Sequence, residues 1–136
     1  MSRQKFVAEF EINASRKMLF PYLSTPSGLA QWFADDVNID EDKVYHIIWD
    51  DENHKARMVS QRSNNHVKFE FIEDDDDEAY DDEEEPASVE LRLEKNEMTQ
   101  TTFLRIIDTS EAAEDEEEFM DMWESMVNTL KETVGG

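Results

Sequence analysis

Residues 119–134 read FMDMWESMVNTLKETV, and the spacing of their apolar side chains decides the fold. Phe119, Met122, Trp123, Met126, Val127, Leu130 and Val134 recur every three or four positions. That puts them on one stripe of a helix with ~3.6 residues per turn. Glu114 to Glu118 precede the stripe, where carboxylates suit the positive end of a helix, and Gly135-Gly136 close it. A helix is therefore predicted over 113–134. One apolar face must be covered by something else in the chain.

Upstream of this helix the period is two. Phe6, Ala8, Phe10 and Ile12 alternate with charged residues, Val7 excepted, and predict a first strand over 5–12. Asn13-Ala14-Ser15 offers a turn and a cap for a short helix over 15–23, with Pro21 bending or shortening it. Thr25-Pro26-Ser27-Gly28 breaks the chain, and Leu29 to Phe33 reads as a second short helix. From Asp36 to Thr109 alternation returns in about six segments, carried by Val37 and Ile39, Val44 to Trp49, Ala56 to Ser60, Val67 to Phe71, Val89 to Leu93 and Thr102 to Ile107. Asn64-Asn65 and Asn96-Glu97 mark tight turns. The expected architecture is α+β: a curved antiparallel sheet of about seven strands, two short helices after the first strand, and the long C-terminal helix over one sheet face. The length of 136 residues suits a single domain, 1–136.

Charge is concentrated rather than spread. The chain holds 35 acids and 13 bases, a net charge of -22. Residues 73–85, EDDDDEAYDDEEE, contain eleven acids, and 111–118, EAAEDEEE, contain six. The remainder carries 18 acids and 13 bases, a net of only -5. Dense like-charge runs repel themselves and are expected as solvated loops, 73–85 as an acidic loop insertion. Such a balance disfavours nucleic acid and anionic membranes, whose phosphates need cations. A basic protein partner steered by the acidic segments is the positive counterpart. With no Cys, thiolate catalysis and Cys-ligated metals are excluded. The N-terminal MSRQKFVAEFEI has no apolar signal core, and no run of about 18 apolar residues is present to span a bilayer. A cytoplasmic location without membrane insertion is expected.

The order of elements resembles the helix-grip, START-like (SRPBCC) superfamily. Residues 20–37, FPYLSTPSGLAQWFADDV, are similar to the T-P-x-x-L-x-x-W-F segment of the activator of heat-shock-protein-ninety ATPase branch. Residues 123–131, WESMVNTLK, resemble that branch's closing helix. Bacterial START-like proteins of unassigned function are also similar. Two departures stand out: Asn96-Glu97-Met98-Thr99 replaces a Gly-rich turn, and the acidic run lengthens a connection that is often shorter.

The resemblance implies a cavity between sheet and C-terminal helix for an apolar or amphipathic small molecule, lipid-like or aromatic. The candidate pocket lining is Phe20, Trp32, Phe33, Tyr45, Ile47, Trp49, Phe69, Phe71, Leu91, Leu104, Met122, Trp123 and Met126. For any single one of these, packing in the core is the stronger reading from composition, since buried aromatics mostly pack. It also implies the alternative of a protein-interaction module of the chaperone-activator type. No converging catalytic set, metal site or cofactor motif is found. His46 is expected on the face opposite Trp49, His54 in a hairpin tip beside Asp50, Asp51 and Glu52, and His66 in another turn. Asp74, Asp76 and Glu78 lack the Gly and distal Glu of a calcium loop. A hydrolase or cyclase would require a buried polar cluster on the cavity wall.

Overall fold

The computed structural model describes residues 5–72, 87–109 and 116–135. The acidic run 73–85 lies outside them, as do 113–115 of the anticipated helix. Seven strands form one antiparallel sheet: β1 (Phe6–Ile12), β2 (Asp36–Ile39), β3 (Tyr45–Trp49), β4 (Glu52–Arg62), β5 (His66–Phe71), β6 (Ser88–Asn96) and β7 (Thr101–Asp108). Helices α1 (Arg16–Ser24) and α2 (Pro26–Leu29) follow β1, and α3 (Glu116–Val134) follows β7. The sheet order is β1-β7-β6-β5-β4-β3-β2, so every connection is a meander except the one from β1 through α1 and α2 to β2. This is the anticipated helix-grip architecture.

Alternation selects the inner face. Ile12, Ile47, Ala56, Val67, Phe69, Leu91, Leu104 and Ile106 are buried there, and Trp123, Val127 and Leu130 of α3 join the same core. Val7, the exception in β1, is exposed on the convex side. On that side Arg92 and Arg105 stand opposite each other, a repulsive pairing relieved by Glu90 against Arg92 and Glu94 against Arg105. In β4 the register shifts between Met58 and Ser60, a bulge that leaves Val59 exposed.

Two local readings are corrected. The second helix is Pro26–Leu29, and 30–33 are turns rather than helix. Thr25 ends α1 and starts α2: its Oγ1 donates to Pro21 O at 2.7 Å and accepts from Gly28 N–H at 3.0 Å, with Pro26 in the first turn. Leu29, Trp32 and Phe33 are nonetheless all buried. The β3–β4 hairpin turns on Asp50 and Asp51 alone, both at positive φ, so His54 lies inside β4 opposite Ile47. The β6–β7 turn works without glycine. Asn96 Oδ1 accepts from Met98 N–H and Thr99 N–H, and Gln100 takes the positive φ of 60°.

Candidate functional site

A groove of about 860 Å³ opens between α3 and the end of the sheet where β3, β4, β5, β6 and β7 approach the helix. Six of the sequence-selected residues line it: Phe33, Trp49, Phe71, Met122, Trp123 and Met126. Seven do not. Trp32, Tyr45, Ile47, Phe69, Leu91 and Leu104 are buried in the packed core, and Phe20 leans on that core from α1. Helices α1 and α2 cover that half of the concave face, and a second cavity of about 620 Å³ lies where the start of α1 meets the β6–β7 turn, lined by Ile12, Ser15, Lys17, Asn64, Lys95 and Thr102.

The aromatic rings of the groove form a continuous arc. Phe71 lies 6.3 Å from Trp49, Trp49 lies 5.2 Å from Phe33, and Phe33 lies 5.8 Å from Trp123, all between ring centroids. Phe119, which sequence reading left out of the lining, adds a wall and packs edge-on against Phe6 at 4.8 Å. Both indole N–H groups are used internally. Trp49 Nε1–H donates to Phe33 O at 2.6 Å, and Trp123 Nε1–H donates to Asp108 Oδ2 at 3.1 Å. These bonds fix the ring orientations; Trp123 and Phe33 are buried in the core, while Trp49 and Phe71 are only partly buried. At the core end, Tyr45 O–H donates to Ser24 O, and burial pushes its phenol above the usual value of 10.

Polar groups were the main omission of sequence reading. Asp108 continues the inner-face series Thr102, Leu104, Ile106, so β7 delivers a carboxylate to the groove wall, and it is only 2% exposed. His54 shares the inner face of β4 with Glu52; its ring lies 5.1 Å from Trp49, and Nε2 is 3.7 Å from Glu52. His46 is on the opposite face as expected, bonded to Asp40 at 2.8 Å and Asn53 at 3.0 Å. His66 heads β5 and contacts Ser60 Oγ at 2.9 Å and Asn65 Oδ1 at 2.8 Å. That Ser–His–Asn chain has relay geometry but lies on the convex face, outside the groove, where no wall would exclude water. Among the described residues no cluster of three or more His, Asp or Glu is placed to hold a metal ion, and no helix is long and apolar enough to cross a membrane.

A START-like superfamily domain model matches the chain over residues 1–136. The chain belongs to the START-like superfamily. Solved structures share this START-like fold. The Aha1 dimer from Colwellia psychrerythraea has 16% identity over 96% of both chains, with a TM-score of 0.70. A Bacteroides fragilis protein determined by NMR in solution is 33% identical, with 98% of this chain and 92% of that one covered and a TM-score of 0.59. The Mesorhizobium loti protein MLL2253 is 15% identical over 96% of this chain and 98% of its own, at a TM-score of 0.68. No curated protein matches the START-like chain significantly.

Proposed function

We propose that this START-like domain is a non-enzymatic binding module that holds an apolar or amphipathic small molecule in the groove between α3 and the sheet. One observation carries the reading: a groove of about 860 Å³ between α3 and the sheet is walled by Trp49, Phe71, Phe119, Met122 and Met126. Ligand sites of small molecules occupy roughly 300–1,000 Å³ and combine apolar walls with a few polar groups. START-like proteins often bind hydrophobic ligands, which agrees with this choice. Methionines on the helix side adapt their shape to irregular ligands. Burying roughly 300 Å² of apolar ligand surface would contribute about 7.5 kcal/mol before the costs of association and ordering, which reduce it.

The docking alternative draws on a fold likeness to the Aha1 dimer at 16% identity and on acidic segments outside the described residues, so the groove is preferred. Titration of a lipid and aromatic-metabolite panel, read by tryptophan fluorescence and native mass spectrometry, tests it. A binding ligand should shift the emission of Trp49, and Met126→Trp, which fills the groove from α3, should weaken binding at least tenfold. The proposal fails if nothing in the panel binds, or if Met126→Trp binds as well as the parent protein.

A further inference from the structure

We propose that the second cavity, of about 620 Å³ at the start of α1, is an anion site that takes the phosphate group of a small organic phosphomonoester. Its basis is independent of the groove. In a chain of 35 acids and 13 bases, Arg16, Lys17 and Lys95 all line this one cavity, against a single acid, Glu11. Three bases and one acid give the lining a net charge of +2. Among the described residues none of these three bases makes an ion pair, whereas Arg92 and Arg105 on the convex face both do. Cations gathered without a counter-charge repel one another, and an anion placed between them relieves that repulsion. A phosphomonoester carries about -1.5 to -2 at pH 7, which matches the lining.

Uncharged donors converge on the same space. Ser15 caps α1: its Oγ accepts from Met18 N–H at 3.0 Å, and its carbonyl accepts from Leu19 N–H at 3.0 Å. The N–H groups of Arg16 and Lys17 are left without an acceptor among the described residues, and both residues border the cavity. Phosphate oxygens suit such groups. Thr102 supplies a buried hydroxyl. It is 6% exposed, lines the cavity from the start of β7, and its Oγ1 has no hydrogen-bond partner among the described residues. Arg105 Nε is the one fully enclosed side-chain polar atom left unbonded among those residues, so the Thr102 hydroxyl keeps an open surface, and the cavity is what it meets. A ligand oxygen there would satisfy a group that the fold leaves bare. The volume is that of a small-molecule site rather than of one ion, and Ile12 and Ala14 add apolar wall for the organic part. Ile72 and Thr109, the last described residues before the acidic runs, stand at the other end of the sheet. From Thr102 to Asp108 alone is about 20 Å at ~3.3 Å per residue, more than twice the Debye length of ~8 Å in physiological salt.

The test titrates the full chain at physiological salt with phenyl phosphate, inorganic phosphate and phenol, followed by calorimetry and amide NMR. Phenyl phosphate should bind, shift the amide signals of Arg16 and Lys17, and bind more tightly than inorganic phosphate. Phenol should leave those signals in place. Arg16→Gln and Lys95→Gln should each weaken phenyl phosphate about tenfold, the size expected for one hydrogen bond to a charged group. Thr102→Val, which keeps the side chain's shape and removes the hydroxyl, should weaken it about fivefold. Lys43→Gln, on the β2–β3 turn at the opposite edge of the sheet, removes the same charge and should change nothing. Met126→Trp, which fills the groove, should also leave phenyl phosphate binding intact and so separates the two sites. No binding of phenyl phosphate overturns the proposal, whatever the groove does. Equal losses in Lys95→Gln and Lys43→Gln would assign binding to net charge and overturn it as well. Inorganic phosphate binding as tightly as phenyl phosphate, or phenol shifting the same amides, would overturn the assignment to a phosphomonoester.

Discussion

Gly28 shows how much of this fold depends on single side chains being small. It lies where α2 crosses α1, and a Cβ there would sit 2.1 Å from Pro21 O and 2.7 Å from Tyr22 Cα, both backbone atoms that cannot swing away. Gly28→Ala should therefore destabilise the protein by about 3 kcal/mol through overpacking, despite the better helix propensity of alanine. Urea denaturation, with an unchanged m-value and a lower midpoint, is the measurement. Asp40 is a second residue whose role is chemical rather than spatial. Its carboxyl is held below the ordinary value of 3.8, first by the hydrogen bond from His46 and then by Val44 N–H. A lowered pKa in the folded state means that the charged form stabilises the fold above pH ~4, and that this contribution is lost as pH falls through the lower folded value. The stability gap between the parent protein and Asp40→Asn should accordingly narrow on acidification from pH 5 toward pH 2, followed by thermal unfolding. A gap that stays constant or widens would show that Asp40 titrates normally.

Among elements, α3 was the most legible and the groove the least. Seven apolar residues at helical spacing leave no other reading for 119–134, and Trp123, Val127 and Leu130 are buried as that stripe requires. The strands followed from alternation for the same reason. What alternation cannot provide is position along a strand: Tyr45 and Trp49 share a face, yet only Trp49 reaches the groove, because α1 and α2 cover the other end. Turn length was equally hidden. Asp50, Asp51 and Glu52 read as one acidic tip, but the hairpin needs only two residues, and the shorter turn moves His54 into the ladder. Asp108 is within reach of a parity count from Thr102, but the apolar alternation that reveals the strand ends at Ile107. The bond from Trp123 to Asp108 ties α3 to β7, so it belongs to this scale. Trp123→Phe removes one donor from a buried carboxylate and should cost about 1–3 kcal/mol. In Asp108→Asn the same replacement should cost measurably less, and a double-mutant cycle by chemical denaturation gives the coupling.

At the scale of the whole molecule, the net charge of -22 coexists with an interior built by ordinary means. The residues outside the two acidic runs carry -5, and the sheet's convex face pairs its arginines with glutamates. Acidity and fold are therefore separable properties of this chain. The order of strands is not separable from the order of synthesis. β1 pairs with β7 along its whole length, from Phe6 opposite Asp108 to Ile12 opposite Thr102. The first strand to leave a ribosome has no neighbour on the sheet until the last one has emerged, about a hundred residues later. Until then Phe6, Ala8 and Ile12 are without the strand that pairs with them. Closing that gap is a long-range, high-contact-order step, which places it late and makes it slow. An emerging chain thus carries an unpaired apolar edge for most of its translation, and the last two elements, β7 and α3, are those that retire it.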